Sequence, residues 1–417
     1  MSVKRILIGC SGTYIHNLHS GTKRVVRNIV ERKDLIEDKL GVSVIPVMLT
    51  KFGYISLDDF LQSQSTANKQ SLKEKVQYFL AAKLRNDYLY KVVKLLWDMY
   101  RRISYTIFDF IEIFAKKPTK LISLNENDML LFIQPFKSFI EIIKNINKSN
   151  AVFVLLIHDI LPVTNPELCP DSSCANKFFK VFFEKIVPYV NFLLTISQSE
   201  KKIIENYISS IGVNKPIDYF YLGSDLPTNN NKDQLLRQEI LSFKEKSYFL
   251  MVGSIAPRKG YGIAIEAFEY LWKNGFNKTL VIVGGIAWSY SKVLNPILKS
   301  PHYNKKLFMF NEANDSELDY LYNNAQALIF AAEREGFGIP LVEAMQKQIP
   351  VLASDIDVFR EIGNDYPVYF NPKKKDDLIQ AIKSFERRMQ TKNPNGHFLN
   401  WDESVEMLCE KIKKYID

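Results

Sequence analysis

Two carboxylates, Glu335 and Glu343, stand eight positions apart in AAEREGFGIPLVEAM, with Gly336, Phe337, Gly338, Ile339 and Pro340 between them. Glycine allows backbone that other residues avoid and lets a ligand approach closely. Proline suits the first position of a helix. The stretch therefore predicts a strand over 327–331, a turn, and a helix whose opening presents free amides at residues 336–339. Such amides, with the helix dipole behind them, form an anion site. Carboxylates are poor partners for phosphate but good acceptors for sugar hydroxyls. Together they suit a ligand carrying both, a sugar joined to a nucleoside diphosphate. A glycine-containing strand-to-helix turn is also a common structural device, so the stretch alone leaves both readings open.

A second cluster lies in YFLMVGSIAPRKG, where Arg258 and Lys259 follow Pro257 and precede Gly260 at the start of a predicted helix. Adjacent cations suit a diphosphate. They also oppose the dipole of the helix they open, which makes a purely structural role less comfortable. Other chemistry-bearing residues form no pattern. Asp355 and Asp357 make a D-x-D, but after a strand and beyond the helix that carries Glu343. His16, His19, His302 and His397 show no ligand spacing, and Cys10, Cys169, Cys174 and Cys409 show neither metal-site spacing nor a disulfide framework. The thiols are expected to be reduced, and no metal site is expected. The first strand lacks a following G-x-G-x-x-G, which disfavours a dinucleotide oxidoreductase.

Short apolar runs alternate with helix-length segments along the chain. Strands are expected at 5–10, 43–49, 129–134, 152–159, 192–197 and 219–222, then at 248–253, 280–283, 307–310, 327–331, 351–354 and 368–370. Helices are expected between them, at about 22–31, 138–146, 175–189 and 200–208, then 261–273, 316–323, 341–347 and 376–389. Continuous apolar strands alternating with helices imply parallel sheets covered on both faces. The fold class is thus α/β, with two Rossmann-like domains: 1–226, a polar linker at 227–244, and 245–400, followed by an amphipathic helix from residue 401.

The chain has 417 residues and a net charge of +9, which favours anionic partners without choosing among them. Residues 68–120 carry twelve Lys/Arg against five Asp/Glu, and ten aromatic residues. That segment reads equally as a surface for acidic lipid or as an inserted helical hairpin with solvated lysines. No run of about 18 apolar residues is present, so a membrane span is not expected.

The segments GSIAPRKG, NEANDSELDYLYNNAQALIFAAEREGFGIPLVEAM and PVLASDIDVFREI resemble the C-terminal half of family 4 glycosyltransferases. These are retaining, nucleotide-sugar-dependent enzymes of the GT-B fold. The branch most resembled comprises mannosyl- and rhamnosyltransferases of bacterial polysaccharide synthesis. SGTKRVVRNIV, LLIHDILP and LLTISQSEKKII resemble its N-terminal half more loosely; the 68–120 segment has no counterpart.

The resemblance implies roles. Glu335 would hold the donor sugar and Glu343 the ribose, while Gly336, Phe337, Gly338 and Ile339 would meet phosphate or sugar through their backbone. Arg258 and Lys259 would clamp the diphosphate, and His158 would lie against the sugar. Gly21 would approach the diphosphate from the opposite domain, and Ser254 stands where many relatives have an arginine. The last helix would cross back to the first domain. The activity implied is metal-independent transfer of a hexose from a GDP-, dTDP- or UDP-sugar to a glycan or lipid-linked acceptor. No cofactor and no nucleic acid are involved. The expected location is the cytoplasm or the inner face of the plasma membrane. The alternatives are a GT-B nucleotide-sugar epimerase, which needs no acceptor, and a basic membrane- or nucleic-acid-binding protein on an inactive scaffold.

Overall fold

The structure is a computed structural model that describes residues 3–14, 21–50, 53–64, 120–133, 143, 146–169, 173–225, 236–243, 247–286, 290–311, 313–387 and 398–416. All but the last residue of the basic 68–120 segment, most of the helix expected at 138–146, His16, His19, His397 and residues 227–235 and 244 of the expected linker lie outside the described residues.

Strands β1 (Arg5–Gly9), β2 (Ser43–Thr50), β3 (Gly53–Ser56), β4 (Asp128–Phe132), β5 (Val152–Leu156), β6 (Phe192–Thr195) and β7 (Ile217–Tyr219) form one sheet in the order β3-β2-β1-β4-β5-β6-β7. All pairings are parallel except β2 with β3. A second, fully parallel sheet contains β8 (Tyr248–Val252), β9 (Thr279–Val283), β10 (Leu307–Phe310), β11 (Ala327–Phe330), β12 (Val351–Ser354) and β13 (Val368–Phe370) in the order β10-β9-β8-β11-β12-β13. Runs such as VFVLL in β5 and TLVIV in β9 are β-branched or apolar at almost every position. Burial on both faces requires that pattern.

The helices used below are α1 (Gly21–Glu31), α2 (Lys33–Leu40), α3 (Gln198–Ser210), α4 (Tyr261–Lys273), α5 (Tyr290–Lys299), α6 (Asp315–Asn324), α7 (Ile339–Gln346), α8 (Asp357–Gly363) and α9 (Trp401–Lys413). Asn314 and Asn400 open α6 and α9 with full capping boxes, each completed by a glutamate three residues on.

Some elements differ from expectation. Strand β7 begins two residues early, because Ile217 is paired to Leu193, while Gly223 bridges Leu399 instead. The hairpin strand β3 is too short to show alternation. Pro296 inside α5 masks its helical pattern. Part of the polar segment read as a linker is packed: Ile240 and Phe243 are buried, and Arg237 grips Glu317 through Nε at 2.6 Å and Nη2 at 2.8 Å.

Helix α9 packs on α2 and α1 and donates from Ser404 Oγ to the Tyr221 carbonyl at 2.7 Å. The Val3 amide donates to the Ile416 carbonyl at 2.8 Å. No helix among the described residues is long and apolar enough to cross a membrane.

Candidate functional site

Strand order reverses direction between β8 and β11 in the second sheet and between β1 and β4 in the first. Open α/β sheets bind ligands beyond the carboxyl ends of strands at such switch points. The loop after β8 carries Ser254, Arg258 and Lys259, and the loop after β11 carries Glu335 to Gly338. The Glu333 amide donates to the Arg258 carbonyl at 2.8 Å and locks the two loops together.

Arg258 Nη1 lies 2.9 Å from Glu335 Oε1, and Lys259 Nζ pairs with the same oxygen. Burial alone would raise the Glu335 carboxyl, but Arg258 and Lys259 hold it below the ordinary value. Burial lowers the Lys259 ammonium, against the pull of Glu335. The site is therefore a charged triad with one surplus cation. Lys259 Nζ also sits 5.4 Å from the centre of the Phe330 ring. The cations expected to clamp a diphosphate are thus already engaged with the carboxylate expected to hold the sugar. Ser254 lies exposed in the same loop.

Helix α7 opens at Ile339 with Gly338 as its cap at φ 108°, and Pro340 occupies its first turn. A Cβ on Gly338 would stand 2.9 Å from the Phe359 ring, so conformation and space both require glycine. The amides of Phe337, Gly338 and Ile339 find no protein acceptor among the described residues. Glu343 follows one turn on and is 1% exposed. Its Oε2 accepts from the Tyr322 hydroxyl at 2.7 Å, and its Oε1 pairs with Arg24 of α1. Burial and then the Glu343 charge push the Tyr322 phenol well above its ordinary value, so it remains a donor.

The first domain faces this loop directly. A Cβ on Gly336 would stand 2.6 Å from the His158 carbonyl oxygen, which only a glycine can allow. Ser197 Oγ donates to the Gly336 carbonyl at 2.7 Å and also caps α3. Arg334 Nη2 lies 2.5 Å from Glu200 Oε2. Burial raises the Glu200 carboxyl to about 7, with Arg334 opposing it. Glu361 of α8 accepts from the Gln198 and Ser199 amides, both at 2.7 Å, and so caps α3 from the other domain. The closed cleft continues outward as a cavity of about 810 Å³ between α3 and α8, lined by Gln198, Lys202, Tyr221 and Glu361 among others.

His158 Nε2 lies 3.0 Å from the Ile133 carbonyl, which can only accept, so Nε2 carries the proton. Burial lowers its pKa to about 4, with Asp159 and the Ile133 carbonyl opposing. The ring is neutral at pH 7, with its lone pair on Nδ1. Gly21 is exposed at the start of α1, and among the described residues nothing beyond its own helix lies within 4 Å of where its Cβ would be. Asp355 of the D-x-D is held by Arg360 at 2.7 and 2.9 Å, and Arg360 stacks on Tyr369. His302 Nδ1 lies 2.9 Å from Glu269.

Arg24, Tyr322, Ser197, Glu200, Arg334 and Glu361 were not among the residues expected. Arg24 stands three positions after Gly21 and Arg334 beside Glu335, but their partners lie 319 and 134 positions away. No local pattern reports such contacts.

Two Rossmann-like sheets with their switch points facing across a cleft form the GT-B fold. Residues 232–393 match the family described as "Glycosyl transferases group 1", and this segment is a domain of that family. The chain is 30% identical over 291 residues to the serotype-specific mannosyltransferase WbdA of Escherichia coli, covering 66% of this chain and 35% of that protein. It therefore spans about a third of the length of that relative. It is 29% identical to the O-antigen chain mannosyltransferase RfbU of Salmonella typhimurium, over 56% of this chain and 60% of that protein. Sucrose-phosphate synthase from Thermosynechococcus elongatus shares the fold, with a TM-score of 0.58 and 13% identity, over 99% of this chain and 94% of that one.

Proposed function

We propose that this chain transfers a hexose, with retention at the anomeric carbon, from a nucleotide-diphosphate sugar to a hydroxyl of a glycan or lipid-linked acceptor in surface polysaccharide synthesis. The names of the similar proteins favour mannose, and hence GDP-mannose, as the first donor to test. The observation that carries this reading is the cluster of Arg258, Lys259 and Glu335 at the switch point. It lies beside the 336–339 turn and against the strand end that bears His158.

In this reading the diphosphate exchanges places with Glu335 on the two cations. The freed carboxylate then takes the sugar hydroxyls. Glu343 takes the ribose, and the amides at 337–339 meet phosphate or sugar. The C–O bond to the diphosphate breaks heterolytically through an oxocarbenium-like state. Arg258, Lys259 and the helix opening stabilise the departing charge. A phosphate oxygen of the leaving group takes the acceptor proton. Neutral His158 positions the sugar rather than serving as a base. Closure of the cleft excludes water and limits hydrolysis. No metal or organic cofactor is assigned a step.

The test is a thermal-shift screen of GDP, UDP and dTDP, followed by transfer assays with the matching sugar nucleotide. Lys259→Ala is expected to lower turnover at least about tenfold, or ~1.4 kcal/mol; a near-native rate would remove Lys259 from the mechanism. Product formed without any acceptor would favour epimerisation. We also place the chain in the cytoplasm or at the inner membrane face, with residues 68–120 as the contact to acidic lipid. Vesicle flotation unchanged by deletion of that segment would end the lipid proposal.

A further inference from the structure

Arg24 joins two regions that the proposed mechanism treats separately. It lies in the first turn of α1, where a cation opposes the helix dipole, so its own helix does not favour it there. Its Nη1 pairs with Glu343 Oε1 across the cleft, and its Nη2 donates to the Asp225 carbonyl at 3.0 Å. Asp225 sits where the chain leaves the first domain. Its carboxylate holds Arg32 at 3.1 Å and accepts from the Trp401 amide at 3.3 Å, where the chain returns. One guanidinium therefore touches both the candidate ribose carboxylate and the crossover between domains.

We propose that Arg24 is a donor-contacting residue of the first domain, whose guanidinium bridges Glu343 and the diphosphate of the nucleotide sugar. The inference rests on the donor site proposed above and deepens it. Glu343 is buried, and Arg24 is the cation paired with it; a buried carboxylate stripped of its counter-charge is strongly destabilising. Neutral ribose hydroxyls cannot supply that charge, so Arg24 must stay close when they bind. A guanidinium carries five N–H donors, and the two contacts above use one on each terminal nitrogen. The ribose leads directly to the phosphates. Gly21, which the family resemblance sets against the diphosphate, lies one turn before Arg24 on the same face of α1. Donor binding is then felt at the crossover through Asp225, which couples occupancy to closure.

The experiment is calorimetric binding of the nucleoside diphosphate preferred by the wild-type chain, and of its parent nucleoside, to wild type, Arg24→Ala and Arg24→Lys. Arg24→Ala is expected to weaken the diphosphate at least about tenfold while leaving the nucleoside within about twofold, and Arg24→Lys to restore part of the loss. Unchanged diphosphate affinity in Arg24→Ala would reduce the residue to a tie between domains. Tighter binding of both ligands would make it a competitor of the donor; either result overturns the proposal. If Arg24→Ala does not fold, Arg24→Lys decides: a single ammonium cannot reproduce the bridging contacts of the guanidinium, so native affinity would overturn the proposal. A wild-type chain that binds no nucleoside diphosphate would instead remove the donor site itself.

Discussion

Glu335 is held in a charge state that burial alone would not choose. Glu335 stays ionised between Arg258 and Lys259, while Lys259 is lowered by the same burial. Glu200 is the converse case: burial outweighs Arg334 and lifts its carboxyl from 4.5 to about 7. A raised carboxyl favours the protonated form in the fold. Its contribution to stability is full below the ordinary value and is lost as pH rises through about 7. Chemical denaturation should therefore show wild type losing stability relative to Glu200→Gln between pH 5 and pH 8, since glutamine mimics the neutral acid. A wild-type stability that stays level or rises relative to Glu200→Gln over that range would refute this balance. At this scale the sequence was informative for residues near a glycine turn. Glu335, Glu343, Arg258 and Lys259 were all visible in it. Arg24 and Glu200 were not, because a charge on a helix surface looks the same whether solvated or paired across a cleft.

Elements were legible where the pattern was strong. The buried parallel strands announced themselves as apolar runs, such as VFVLL in β5 and TLVIV in β9. The β3 edge and α5 did not, the one because it is only four residues long and the other because Pro296 inside it reads as a helix breaker. The turn between β11 and α7 was readable in kind, but not in what it packs against. Gly336 meets the His158 carbonyl, which is backbone and cannot swing aside. Gly336→Ala should therefore keep both domains folded and hold the cleft ajar. Its melting temperature should fall by only a few degrees, while turnover falls more than about tenfold. Native turnover would mean that the tight approach is not required for catalysis. Gly338→Ala should cost more stability, since it adds a positive φ to a clash with Phe359.

The whole molecule is tied twice: through the cleft, by Ser197, Arg334 and Glu361, and through α9, which returns to the first domain. The two-domain plan followed from the restart of strand–helix alternation. The closed arrangement did not, because it depends on contacts between residues more than a hundred positions apart. Helix α9 buries Trp401, Val405, Leu408, Cys409 and Ile412. At ~1.5–3 kcal/mol per large apolar side chain, their loss approaches the stability of a typical domain. A chain ending at residue 400 should thus be poorly soluble or melt far below wild type; a normal melting curve would show that the first domain does not depend on α9. The most direct test of the whole account is a crystal structure with GDP-mannose, or with whichever sugar nucleotide the screen selects. The account predicts the diphosphate between the 337–339 amides and the Arg258–Lys259 pair, with the sugar on Glu335 and the ribose on Glu343. A nucleotide bound in the second domain away from those four side chains would contradict it.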